Sequence, residues 1–586
     1  MITIISLPNE LLDEIACNVA SEFGLPSSLT PLLLTCKRIH NVLTGPGGKA
    51  VWRRIFQGTF SSSAAVRRLG ARLRNEDWLF QLQLYVRVLR DVQGRRMEGE
   101  GGMFEEQDVE RHSVEELMWV LWVMCLEDDG RNRVQMDKVG VYEWVAMFVR
   151  TRLARDEAGW PVDNALNSCA LHVFWYLTTK HRLFAECPTT REQTVRAVLP
   201  YVTMPFRYPP SSVPPHQRTW NQIFYNRRLP MFIPLVTDAA KLIYAARREL
   251  FKVRIPSGLG FARTRRERDA AMLGRKVVVP TLEDFEESND CFLGGEAKYP
   301  SGAQSDKDAE VDWKRTTSRR TAKGGGTALT SLPKVVYRTS SSSPTSSSSS
   351  PSDVDPCLYD PTRIHDIISI DESDSASRDW DTDWWRLMCS FHGEDEDEDV
   401  DMESDDDNDN DNVAHKPGEM TGLWVGKLFV PSDSHFASLF HATHSTTNPM
   451  HIPQDFSENT LGSVASMPVW MRLKEDPTQG EEEIDLTGST DPHHGDAWHH
   501  FRFKGKVRRW DGFVEIVRTA FDPYGSETGK RHDKIVLYGT LVGGGKNFVG
   551  NWRALPPASE SEAEERERRG RWPWEGAFSL GRRVEA

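Results

Sequence analysis

Six residues that can bind metal fall within one short stretch: Asp491, His493, His494, Asp496, His499 and His500. Carboxylate oxygens and imidazole nitrogens are ligands for zinc and related divalent ions. Their spacing argues against a site. Adjacent histidines in a loop rich in Gly, Asp and Pro diverge, and no His-x-x-x-His pair supplies two ligands from one helix face. A second stretch, Gly543-Gly544-Gly545-Lys546-Asn547, has the outline of a phosphate-binding loop. Asn547 stands where a Ser or Thr would hold magnesium, Thr540 stands where the spacing requires Gly, and strand-like sequence follows instead of a helix. A hairpin turn fits it better. No Ser/His/Asp or Cys/His set occurs in a recognisable context, and His435 and His441 read as surface residues. The chain is expected to have no catalytic residue, no metal and no cofactor.

The surrounding composition bounds what those residues could serve. At 586 residues there is room for about two or three folded units. Net charge is −14, yet the stretch from Glu394 to Asp411 holds 13 acidic and no basic residues, so the rest sums to −14 + 13 = −1. A nearly neutral remainder gives no broad basic face, and nucleic acid is not expected as a partner. The eight cysteines (Cys17, Cys36, Cys125, Cys169, Cys187, Cys291, Cys357 and Cys389) are scattered without a CxxC pair, unlike disulfide scaffolds or zinc ribbons. The opening MITIISLPNELLDEI lacks a basic region ahead of its apolar residues, which argues against a signal peptide. Leu117–Leu126, the most apolar window, is too short to cross a bilayer. A soluble protein of the cytoplasm, the nucleus or both is the expectation, with no membrane partner.

Helical periodicity runs from residue 7 to about residue 250. Pro8 suits a first helical turn, and Leu11, Leu12, Ile15 and Val19 then share one stripe. Gly24 and Pro26 break it. Ser28 or Thr30 can cap a second helix carrying Leu32, Leu33, Cys36, Ile39, Val42 and Leu43, which Gly45-Pro46-Gly47-Gly48 ends. Further helices are predicted over Asp77–Asp91, Val114–Leu126, Val141–Leu153 and Ala165–Thr178. The last two, after a Gly turn, resemble an armadillo-type pair, with an ordinary helical domain as the alternative. From residue 301 to 415 Ser-rich, Gly-rich and acidic sequence replaces this pattern, and such a segment buries too little apolar surface to offset the entropy of ordering it. From 416 to 556 short runs rich in Val, Ile, Phe, Tyr and Trp, bounded by Gly, Pro, Asn and Asp, predict about seven antiparallel strands in a barrel or sandwich. Residues 557–586 read as a flexible charged tail. The fold class is thus multidomain α+β: helices over 1–60 and 61–300, a disordered linker, then a closed antiparallel barrel.

The N-terminal pattern is the most specific. Leu7-Pro8-x-Glu10-Leu11-Leu12-x-x-Ile15, then Leu33-Leu34-Thr35-Cys36-Lys37-Arg38-Ile39, then Val51-Trp52-Arg53-Arg54-Ile55-Phe56 resembles the F-box family along its length. The resemblance implies a three-helix unit docking on the Skp adaptor of a cullin-RING ubiquitin ligase. On this sequence the adaptor-binding positions would be Leu7, Pro8, Leu11, Leu12, Ile15, Leu32, Leu33, Cys36 and Trp52. The stretch Gly45–Lys49 departs from the family by lengthening a loop. The C-terminal runs TGLWVGKLFV, EEEIDLTG and DKIVLYGTLVGGGKNFVGNW resemble, in order, the β-barrel of F-box-only proteins that recognise cyclin D. That resemblance implies a substrate-binding module. Aromatic residues are enriched at binding hot spots, which makes Trp470, Trp498, Trp510 and Tyr538 the candidate contacts. Trp424 and Trp552 are expected to lie inside the barrel.

Short peptides in the linker carry alternatives. Ile367, Ile368 and Ile370 before Asp371-Glu372 resemble a SUMO-interacting motif, or form a chance apolar patch or an early strand. Ser343 and Ser350 precede prolines and Ser404 precedes three aspartates, as kinase sites do. Lys314-Arg315 and Arg319-Arg320 are a weak nuclear signal or exposed linker cations. The expected function is substrate receptor of a Skp–cullin–F-box ligase, acting by proximity. The rivals are a Skp-binding scaffold outside any ligase and a metal-dependent enzyme on the barrel.

Overall fold

The computed structural model describes most of residues 7–271, then 281–284, 376–388, 415–430, most of 465–555, and 575–583. The three linker isoleucines, Trp498, Trp510, His435, His441, His493, Asp496, the linker serines named above, both basic pairs and the acidic run lie outside the described residues.

Four helices open the chain: α1 (Asn9–Glu22), α2 (Leu29–Thr35), α3 (Lys37–Thr44) and α4 (Lys49–Thr59). Pro8 stands just before α1, and its carbonyl accepts from the amides of Leu11 and Leu12. The second helix of the expected trio is two helices. Cys36 is extended, with φ −161° and ψ 160°, and ends α2 before α3 begins. After them come α5 (Ser63–Leu69), α6 (Asn75–Met97), α7 (Val114–Leu126), α8 (Arg131–Val139), α9 (Val141–Thr151), α10 (Ala165–Leu177), α11 (Lys180–Ala185) and α12 (Pro188–Thr203). The hairpin β1 (Thr219–Phe224) and β2 (Arg227–Phe232) interrupts the helices before α13 (Val236–Glu249) and α14 (Arg265–Ala271).

Helix α7 is apolar on every side, and every residue from Leu117 to Leu126 is buried. Its start is set by a capping box, in which Ser113 accepts from the Glu116 amide and Glu116 accepts from that of Ser113. Helix α10, capped by Asn164, lies beside α7 and also packs on α13 and α9. Contacts therefore radiate from a central pair. The pair expected over 141–178, α9 and α10, does pack together, as part of this larger cluster.

No break in packing separates the helices before residue 60 from those after it. Phe56 and Phe60 of the N-terminal block join Trp78 and Tyr85 of α6 and Tyr225 of the hairpin, with ring centroids 5.1 to 6.1 Å apart. Asp128, behind α7, accepts from Tyr176 and from Ser61, and the Asn132 side-chain oxygen Oδ1 takes the Ser61 amide at 2.9 Å. One core thus runs from α1 to α13.

Two short helices, α15 (Ala376–Asp379) and α16 (Asp381–Met388), stand inside the segment expected to be an unstructured linker, and they pack on the helical domain. The linker expectation is corrected there.

The C-terminal module is a closed barrel of eight antiparallel strands, each next to its chain neighbour: β3 (Gly422–Val430), β4 (Ala465–Asp476), β5 (Glu483–Thr490), β6 (Phe501–Arg508), β7 (Phe513–Ala520), β8 (Lys534–Val542), β9 (Asn547–Ala554) and β10 (Glu575–Arg583). The last strand comes from the expected flexible tail and closes the ring between β3 and β9. Alternate residues fill the lumen, including Trp424, Leu428, Phe503, Ile516, Phe548, Trp552 and Phe578. Gly550 lets Phe578 approach, since a Cβ there would stand 2.8 Å from the Phe578 ring and 2.1 Å from the Tyr538 carbonyl. Both tryptophans expected inside are inside. Their indoles donate to Met420 O (Trp424) and Phe429 O (Trp552). At the start of the barrel His415 lies between Glu419 and Glu475, 3.0 and 3.3 Å from their oxygens. Burial works to lower the imidazole pKa, but the two carboxylates outweigh it and hold it above its ordinary value.

On the outer face Phe429, Val542, Val549 and Ala577 belong to the helical core, and Tyr244 of α13 meets Phe429 edge-on at 5.4 Å. Thr540 donates to Asp238 of α13. The barrel is therefore seated on the helical domain.

Candidate docking interface

The nine N-terminal positions divide into two groups. Leu12 is 1% exposed and packs with Ala16, Ile39 and Leu43. Trp52 is also buried, and its indole donates to Leu43 O at 2.7 Å. Both belong to the chain's own core, which corrects their expected role as partner contacts. Leu7, Ile15, Leu32, Leu33 and Cys36 are half-buried, and Pro8 is exposed. Leu11 is 50% exposed and Leu34 78%; Met97 at 83% and Val134 at 50% are exposed elsewhere on the helical domain. Leu34 is absent from the expected set, although its signal is visible as the third leucine of a run of which a short helix buries only part. Around them, Arg38 donates to Leu7 O at 3.0 Å, and Arg54 pairs with Glu14 at 2.7 Å on the surface.

Of the barrel candidates, Trp470 is buried on the outer face, where it packs with Leu423 and Val425. The His494 ring stacks on it, 3.5 Å between centroids and 8° from parallel. His494 Nδ1 lies 3.2 Å from Asp491 Oδ1, and Arg472 holds the other oxygen of that carboxylate at 3.2 Å. Trp470 thus serves as the seat of the β5–β6 connection and is covered as a free contact. Tyr538 is half-buried, and burial raises its phenol pKa against the nearby Arg553.

The histidine stretch scatters. His494 faces Trp470, while His500 turns toward the Phe521 ring at 6.0 Å and His499 toward Phe501 at 6.4 Å. Among the described residues no group of three or more His, Cys, Asp or Glu side chains is placed to hold a metal. The three glycines have φ of 64°, 68° and 73° and form the β8–β9 turn, a left-handed run that a side chain would strain. The Gly544 amide donates to Asp383 of α16 at 2.8 Å, so the turn binds a carboxylate of its own chain. Among the described residues no helix is long and apolar enough to cross a membrane.

A buried polar centre lies where sequence offered no motif. Glu127 Oε2 accepts from Tyr85 at 2.6 Å and from Tyr225 at 3.3 Å. Burial raises its pKa to about 7, against the opposing pull of Tyr85 and Arg68. Beside it Arg68, 1% exposed at the side chain, pairs with Asp381 at 3.0 Å, and Arg67 pairs with the same carboxylate at 2.7 Å.

Comparisons with protein-family models, with curated proteins and with solved structures find nothing that matches this chain.

Proposed function

We propose that the chain is an F-box substrate receptor of the cytoplasm or nucleus, docking through its N-terminal helices on a Skp adaptor and so on a cullin-RING ligase. The observation that carries this reading is the exposure of Leu11 and Leu34 beside a fully packed core. The N-terminal block fills its interior with Leu12, Ile39, Leu43, Trp52 and Phe56, so these two leucines are left over from folding. An exposed leucine on each of α1 and α2 offers apolar area to a partner. Both lie in the segment that bears the F-box pattern.

The remaining modules suit presentation. The barrel lumen is filled by its own side chains, so recognition by this module falls to its outer surface and loops. One continuous core from α1 to α13, with the barrel seated on it, holds a bound substrate at a set distance from the docking face. Proximity raises the effective concentration of a substrate lysine near the conjugating enzyme, and no chemistry is asked of this chain.

Affinity purification of the full chain from cells tests the assignment. Adaptor and cullin should be recovered together, and both should be lost from the Leu11→Glu, Leu34→Glu double variant. Adaptor without cullin would instead make the chain a Skp-binding scaffold, and recovery of neither from the wild type would overturn the reading.

A further inference from the structure

Residues 376–388 are held as a peptide ligand is held. Trp380 sits edge-on to Tyr176 at 5.1 Å and to Trp122 at 6.2 Å. Four positions on, Trp384 packs against Phe224 at 4.7 Å, and the Arg68 guanidinium lies over its ring at 4.7 Å. Between the two anchors Asp381 is gripped by both arginines of α5, with Arg67 in a fork at 2.7 and 2.8 Å. The Ser377 amide donates to Asp129, Asp383 takes the Gly544 amide, and Arg386 donates to Leu541 O. Aromatic anchors flanking a forked Arg–carboxylate pair are the pattern of interface hot spots.

We propose that the groove between α5, α7, α10, the β1–β2 hairpin and the β8–β9 turn is a docking site for a short acidic segment with aromatic side chains four positions apart, the first in the turn that opens a helix and the second within it. Residues 376–388 are its resident ligand, held in cis and exchangeable with a peptide of the same chemistry. Two features of the groove favour such an occupant. With the segment in place Arg68 is almost wholly enclosed under the Trp384 ring and beside Glu127, so an occupant that covers this guanidinium must bring it a carboxylate. Trp122, Tyr176 and Phe224 line apolar positions that receive Trp380, whose carbonyl opens α16, and Trp384 one turn on. The ligand has little order of its own, because helices of 4 and 8 residues are far below the length that is stable in water. Its fold is lent by the groove, as for segments that order on binding. Because the groove is walled on one side by the barrel turn, its occupant also bridges barrel and helical domain.

Tethering sets what an exchange experiment must show. A ligand on the same chain acts at an effective concentration on the order of mM. If the free peptide binds at about 10 µM, the resident segment should weaken its apparent binding about a hundredfold. The test is fluorescence anisotropy with a labelled peptide of residues 376–388, titrated with full chain. The Trp384→Ala chain, whose own ligand is weakened, should bind the peptide at least tenfold more tightly than wild type. A peptide carrying Asp381→Arg should bind neither. A folded Trp384→Ala chain that fails to bind, or equal binding to both chains, overturns the proposal. Should that variant not fold, hydrogen exchange on the wild type decides. Amides of α16 should be at least tenfold less protected than those of α7, whereas equal protection would mean that the segment leaves only on global unfolding.

Discussion

Leu11 and Leu12 are neighbours on α1, yet one is half in solvent and the other enclosed. A stripe at positions 7, 11, 12 and 15 spans an arc wide enough to face a core and a partner together. Sequence marks the arc and cannot divide it, because the division depends on where Ile39, Leu43 and Trp52 arrive from later in the chain. Glu127 was equally hidden. It begins an acidic triplet that reads as a solvated turn, and only the convergence of Tyr85, Tyr225 and Arg68 shows it to be interior. Its raised pKa has a definite sign. The folded state keeps this proton up to about pH 7, while an unfolded glutamate releases it near 4.5, so this group lowers stability as pH rises between those values. Of the charges that face it, Arg68 pulls the value down and Asp129 pushes it up, each by less than burial does. Replacing Glu127 with Gln removes the ionisation and keeps an acceptor for the tyrosines. The variant's unfolding free energy should lose up to about 3 kcal/mol of the wild type's decline between pH 4.5 and 7.5. Denaturant titrations across that range check this, and an unchanged slope would contradict it.

At the scale of elements, most of the secondary structure was legible. The capping box and apolar run of α7, the Gly turn before α9 and the alternating Val and Ile of β7 and β8 appear where local sequence places them. The β1–β2 hairpin interrupts a stretch read as helical throughout, and two further elements escaped through composition. Strand β10 has only Phe578 and Leu580 as large lumen residues, set among Gly576, Ala577, Ser579 and Gly581 behind a Glu/Arg-rich stretch, so its alternation was faint. Helix α16 sets Asp381 and Asp383 ahead of Trp384 and Trp385 inside an acidic linker, and its fit to α5 depends on arginines some 300 positions earlier. The strand carries weight out of proportion to its sequence signal. Removing residues 575–586 should expose the edges of β3 and β9 and empty two lumen positions, at about 2–5 kcal/mol for each. Tryptophan near-ultraviolet dichroism should then show loss of the barrel transition or a large fall in its midpoint. An unaltered transition would mean that seven strands suffice.

For the whole molecule, the N-terminal helices, the central pair α7 and α10, and the barrel behave as one body joined by apolar contact. Such continuity suits a receptor, in which a flexible joint between docking face and reader would spread the substrate over many positions and lower its effective concentration. Leu11 and Leu34 lie outside that shared core, so changes there need not disturb the rest. Fully burying a leucine contributes about 1.5–3 kcal/mol, and with Leu11 already half-buried the two together contribute about 2–4 kcal/mol, so losing both should weaken binding more than tenfold. The most direct measurement is a calorimetric titration of purified Skp adaptor into the wild-type chain, into the Leu11→Glu, Leu34→Glu double variant, and into Val134→Glu, which alters a similarly exposed residue outside the N-terminal helices. Wild type and Val134→Glu should bind alike, with the double variant at least tenfold weaker and still folded by circular dichroism. No binding by the wild type, or full binding by a folded double variant, would contradict the assignment of this face to the adaptor.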